Sequence, residues 1–145
     1  MFKLVGFGVI IFLFWVFFMK GGPKPQVQQV PNINQVTAQL SAGKNGEWGT
    51  AAKTSDGVSF GVNVTAFLPK PTKGLDYYVY LKGNGSDLKD VLLGKMVLSG
   101  DVYSLNYQSD MDYFGYKDLV VTKETEAQSK EGKMTTVVLT GLFAK

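Results

Sequence analysis

The chain of 145 residues has no Cys, no His and no Arg, and each absence removes a class of chemistry. Without Cys and His there is no thiol nucleophile, disulfide, imidazole base, zinc finger or iron–sulfur cluster, and any metal site would need oxygen ligands. Without Arg the usual bidentate reader of phosphate and guanine is missing. The net charge of +3 looks basic, yet the first nineteen residues hold one Lys and no acid. From Lys20 onward fourteen Lys face twelve acids, a balance of +2 that is too mild for a nucleic-acid footprint. No nucleic acid, cofactor or metal is therefore expected. The aromatics are lopsided too, with Phe2, Phe7, Phe12, Phe14, Trp15, Phe17 and Phe18 crowded into the N-terminus.

That N-terminus reads as an anchor. Leu4–Met19 runs sixteen positions without a charge between Lys3 and Lys20. As a helix it spans about 24 Å, and residues 1–19 about 28 Å, against a hydrocarbon core of roughly 30 Å. Snorkelling lysines make up the difference. A cleaved secretory signal and a soluble buried helix are the competing readings. Against cleavage, the run ends Trp15-Val16-Phe17-Phe18-Met19-Lys20, bulky where a peptidase wants small residues. Lysines near both ends nearly balance the positive-inside count, so orientation rests on the short stretch before the span. The expectation is a single-pass signal anchor in the cytoplasmic membrane, its lipid contact made by residues 1–19, with the rest extracytoplasmic.

Residues 20–35, KGGPKPQVQQVPNINQ, are Pro- and Gln-rich without an acid. They cannot bury enough apolar surface to order themselves and read as an extended tether, reaching roughly 50 Å at about 3.1 Å per residue. Residues 36–145 are one domain by size.

This domain reads as strands. In Gly57–Phe67, Val58, Phe60, Val62, Val64 and Ala66 alternate with Ser59, Gly61, Asn63 and Thr65, a period of two that a helix does not fit. Leu75–Lys82, Val91–Leu98, Val102–Gln108, Tyr116–Glu124 and Thr135–Phe143 are further strands, Glu47–Thr54 a weaker one, and Val36–Leu40 is ambiguous. Ser99-Gly100 supplies a hairpin turn. No window of helical length sustains a 3.6 period. About seven short strands with turns every 8 to 12 residues predict an all-β, antiparallel, immunoglobulin-like sandwich.

Carboxylates are the remaining source of chemistry, as a glycosidase pair or a calcium cage. Asp87 with Asp90, Asp110 with Asp112, and Glu124 with Glu126 are the nearest groupings, and all read most simply as solvated acids. The Gly83–Asp87 turn lacks the Lys-Ser/Thr ending of a phosphate loop. Asn63-Val64-Thr65 and Asn84-Gly85-Ser86 match the glycosylation pattern at a frequency chance explains. No enzyme is expected. Aromatics are the better lead: alternation turns Tyr78 and Tyr80 away from the core, where Tyr offers contact area at low entropic cost. Cross-strand packing is the plainer account of them. Tyr113, Phe114 and Tyr116, around Gly115, complete the candidate interaction surface, or else plug one end of the fold.

FLPKPTKGLDYYVYLKG, VLLGKMV, DVYSLNY, LVVTKETE and VVLTG, taken in order, resemble the extracytoplasmic C-terminal domain of anti-sigma-K factors. The matching positions are Pro69, Pro71 and Gly74, Tyr78-Val79-Tyr80, Leu93-Gly94, Thr122-Lys123-Glu124 and Val137–Gly141, between Val58 and Gly141. Tyr80 stands where that family often has Trp, and the Pro and Gly-Gly after Glu124 are replaced. The cytoplasmic sigma-binding region has only Met1–Lys3 to occupy its place, so sigma-factor sequestration is not expected. The resemblance implies the outward-facing sandwich of such a protein, detached from its signalling arm. An anchor, a tether and a strand-rich domain that lacks catalytic groupings point to a non-catalytic interaction or sensory module that binds a protein or envelope component. The alternative is a structural envelope or pilus-like subunit assembled through its apolar helix, although Leu4–Met19 lacks the early Glu usual in prepilins.

Overall fold

A computed structural model describes residues 33–42, 46–84 and 87–144. The chain divides between Val30 and Pro31, and the described residues all belong to the second unit, Pro31–Lys145. The expected anchor, residues 1–19, and nearly all of the expected linker lie outside the described residues. Among the described residues no helix is long and apolar enough to cross a membrane.

The second unit is all-β and antiparallel. Its strands are β1 Asn34–Ser41, β2 Trp48–Ser55, β3 Phe60–Phe67, β4 Asp76–Lys82, β5 Val91–Lys95, β6 Val97–Ser99, β7 Val102–Ser109, β8 Asp118–Glu124 and β9 Val137–Leu142. They hydrogen-bond as one sheet in the order β5-β4-β8-β9-β1-β2-β3-β7-β6. The expectation was about seven strands in two sheets, and two local features account for the larger count. Asn34–Ser41, polar at its start and ambiguous by pattern, pairs along its whole length with β2. Val91–Leu98, which alternation reads as one strand, is split in two. Its first part pairs with β4 through a bulge beside Gly94, whose φ is +147°. After Met96 the chain leaves β4 and pairs with β7 from Val97 onward. The two outermost strands of the sheet are thus separated in sequence by Met96 alone, so the sheet curls until it nearly closes on itself. Bulges are how antiparallel sheets acquire such bends.

The β6–β7 turn is Gly100-Asp101, one residue later than the dipeptide expected, because Ser99 pairs with Val102. Gly100 has φ +63°, the requirement of a turn with a left-handed first position, and among the described residues no non-glycine residue has positive φ. Between β8 and β9 lies a short helix, α1 Glu126–Lys130. Thr125 Oγ1 accepts from the Gln128 amide at 3.3 Å, and Gln128 Oε1 accepts from the Thr125 amide at 2.9 Å. This capping box holds a helix too short to show a 3.6 period in sequence.

The inward side chains of β1, β2, β3, β4, β7, β8 and β9 form one core. Val62, Ala66, Val79, Leu81, Leu119 and Val121 have no exposed surface. Each such Val or Leu contributes about 1.5–3 kcal/mol relative to exposure. Gly49 sits where β2 crowds β3. A Cβ there would lie 2.6 Å from the Thr65 carbonyl oxygen and 3.1 Å from the Ala66 Cα. Backbone cannot yield as a side chain end can, so Gly49→Ala is expected to cost about 2 kcal/mol, read as a lower urea midpoint.

Candidate functional site

Three of the five aromatic residues expected at an interaction surface come together, and they do so around a cation. On β2, Gly49, Ala51, Lys53 and Ser55 are buried on the inward side. Lys53, 4% exposed, donates from Nζ to the carbonyl oxygens of Phe114 and Tyr116, each at 2.7 Å. The ammonium also lies 4.6 Å from the Phe114 ring centroid and 4.8 Å from that of Phe143, within cation–π range. Burial pulls the Lys53 pKa below its ordinary value, against the opposing pull of Asp112, and Lys117 pushes the same way as burial.

The loop between β7 and β8 is thereby tied across one end of the sheet. The Asp112 carboxylate accepts from the Phe114 amide at 2.9 Å, and the Tyr116 amide donates to the Tyr113 carbonyl at 3.1 Å. Tyr113 meets Phe60 edge-on at 5.7 Å and Tyr116 at 5.8 Å. Tyr116, itself buried, donates from its hydroxyl to the Lys89 carbonyl at 2.7 Å. Tyr113 and Phe114 remain half-buried. Tyr116 belongs to the core, and Tyr113 and Phe114 pack against it.

Tyr78 and Tyr80 are elsewhere and require a correction. They were expected on an open face, but they are 5% and 1% exposed. The reason is that β4 and its neighbour β8 are buried on both faces. Opposite Tyr78 and Tyr80 stand Thr122 and Val120, also buried. Neither tyrosine, nor Tyr116, offers an open contact surface.

Beneath that face Tyr80 donates its hydroxyl to Oε1 of Glu124, a fully buried carboxyl, in a short hydrogen bond. Oε2 of Glu124 has no hydrogen-bond partner among the described residues. Burial first, then the bond to Glu124 and its charge, push the Tyr80 hydroxyl well above its ordinary range. Of the paired acids of the sequence, Glu124 and Glu126 do not converge. Glu126 is exposed and bridges Lys130 at 2.8 Å, while Glu124 is enclosed. Asp90 accepts from the Gly83 amide. Among the described residues no group of three acids is placed to hold a metal ion.

An open cleft of about 520 Å³ lies where the loop from β3 to β4 meets the β5–β6 bend, with Lys70, Lys73, Asp76, Lys95 and Tyr103 on its walls. Tyr77 fixes that loop, donating its hydroxyl to the Pro69 carbonyl at 2.6 Å and meeting Tyr103 edge-on at 4.9 Å. Burial chiefly, with the charges of Glu47 and Tyr103, raises the Tyr77 pKa from 10.0 to about 12. A folded-state pKa above the unfolded one means that this stabilisation is complete below pH 10 and is lost as pH rises toward 12. Urea midpoints are therefore expected to fall between pH 10 and 12, and Tyr77→Phe should flatten that fall.

Sequence reasoning missed three features: the buried Lys53, the enclosed Glu124, and an exposed stack of Trp48 on Phe67 with centroids 4.4 Å apart. The third had a signal, two aromatics at the facing ends of adjacent predicted strands. The first two had none, because Lys and Glu on a strand ordinarily mark the wet side. Comparison with protein-family models, with curated proteins and with solved structures returned no match.

Proposed function

We propose that the chain is a non-catalytic interaction or sensory module. Residues 1–19 anchor it in a bacterial cytoplasmic membrane, and the β domain stands on the extracytoplasmic side, in the manner of the C-terminal domains of anti-sigma-K factors that it resembles. One observation carries the reading: sixteen uncharged residues between two lysines, then a Pro- and Gln-rich stretch, then a strand-built domain beginning with β1 at Asn34. Sixteen such residues approach the thickness of a bilayer core. Further support comes from the engagement of the buried ionisable groups, since Lys53 holds a loop and Glu124 binds a tyrosine.

The test is crosslinking in native membranes followed by co-purification with the full chain. A reproducible partner from the envelope is the expected result. Repeated recovery of the chain alone would count decisively against a binding role.

A further inference from the structure

Strands β1, β2, β3 and β7 are neighbours in the sheet, and each is eight residues long. Together they contain one charged side chain, Lys53, and it is turned into the core. The charges of the other strands belong to β4, β5 and β8. A water-facing sheet surface without a single charge is unusual, because interspersed Lys, Glu and Asp are what ordinarily keep such surfaces solvated and apart.

In place of charge this face carries hydroxyls and amides in rows. The register sets Thr50 opposite Thr65 and Thr65 opposite Ser104, and one row on it sets Asn63 opposite Asn106. Thr50, Asn63, Ser104 and Asn106 are exposed. Rows recur about every 6.8 Å along the strands and columns about every 4.8 Å across them. At one end Trp48 stacks on Phe67, yet the two keep 50% and 39% of their surface exposed. The stack covers one side of the indole and leaves the rest to solvent.

We infer that this face is a binding surface for a neutral polysaccharide, a chain of uncharged hexose units. The inference deepens the interaction-module reading, and rests on it for where such a polymer is met. The chemistry matches term by term. Side-chain amides carry donor and acceptor together, as vicinal sugar hydroxyls do. An exposed indole offers the flat apolar surface on which the C–H face of a pyranose packs, with a polar tip beside it. An uncharged face has nothing with which to attract nucleic acid, anionic lipid or a charged protein surface, each of which is recognised through counter-charge. A repeating ligand suits a repeating surface, because each added unit engages another row at high effective concentration.

The experiment is affinity electrophoresis of the full chain in a detergent without a sugar headgroup, through gels containing soluble β-glucan, mannan, starch or dextran, with polygalacturonate as an anionic control. At least one neutral polymer should retard the chain, equally at low and high salt. Trp48→Ala should weaken the retardation roughly tenfold, and Asn63→Lys should weaken it by placing a charge on the exposed face. Asn63 is exposed, so Asn63→Lys should keep the parent's urea midpoint; Trp48→Ala should lower it by no more than the ring stack is worth, about 1 kcal/mol, and stay folded; and Val58→Ala, off the face, should behave as the parent does. Retardation by none of the four neutral polymers would overturn the inference, as would retardation that Trp48→Ala leaves unchanged or binding to the anionic polymer alone. So would a dimer that Trp48→Ala dissolves in the absence of any sugar binding, which would make the face a contact between two copies. Retardation by a domain found inside the cell would refute the display outside the membrane and leave the face standing. Display outside without retardation would refute the face alone.

Discussion

Replacing Tyr80 with Phe is expected to lower stability by about 3 kcal/mol. The change removes one oxygen atom. It also strips Glu124 of its only side-chain donor among the described residues, leaving a fully buried carboxyl with neither oxygen partnered among them. The penalty belongs to the stranded group more than to the lost bond, since a net hydrogen bond contributes only about 1 kcal/mol. A domain of this size has roughly 5–15 kcal/mol in total, so the variant should unfold at a much lower urea concentration. The double variant Tyr80→Phe/Glu124→Leu supplies the check, because an apolar side chain of similar volume has nothing to leave unpaired. It should regain most of the loss. A single variant within about 1 kcal/mol of the parent would mean that water or a rearranged chain satisfies Glu124.

Lys53→Met comes next, at about 2 kcal/mol. Methionine keeps the apolar stem of the lysine and roughly its volume, so the packing on β2 should survive. What disappears is the donor to the Phe114 and Tyr116 carbonyls and the ammonium beside two rings. The loss is local, which makes amide hydrogen exchange a sharper reading than global unfolding. Protection should fall in residues 110–117 and hold in β3 and β8. Unchanged protection in that loop would show that its own turn, closed by Asp112 and Tyr113, suffices to hold it.

The class of fold was legible in the sequence wherever one side of a strand was wet. Phe60–Phe67 shows this, its buried Phe60, Val62, Val64 and Ala66 alternating with Gly61, Asn63, Thr65 and Phe67. Alternation fails in β4, where both faces are buried and Tyr78 and Tyr80 carry just enough polarity to read as outward. It fails again at Val91–Leu98, because the pattern continues through a bend that changes the strand's partner. Whether Gly94 marks a bulge or a weak strand residue depends on β4 and β7, which local sequence does not contain.

The candidate site was legible in part. The rings around Gly115 read as a group and pack together on the core, but their organising group is Lys53, sixty-one residues away from Phe114 in sequence. Such a pairing is set by curvature of the sheet and leaves no local trace. The uncharged outer face lay open to reading in the composition of β1, β2, β3 and β7, yet only the strand order shows that these four lie side by side. Scarcity of charge, spread thinly along a sequence, becomes a property of one surface once the sheet is assembled.

The proposed role as an anchored envelope module depends on the domain standing outside the cytoplasm. Because the chain has no Cys, one introduced thiol reports on that without background. Val58, 81% exposed in the turn between β2 and β3, is the position for it, and the V58C variant should fold as the parent does. A membrane-impermeant maleimide applied to cells with an intact cytoplasmic membrane is predicted to modify V58C fully, with no further labelling after lysis. Labelling that appears only after lysis would place the domain inside and contradict the account.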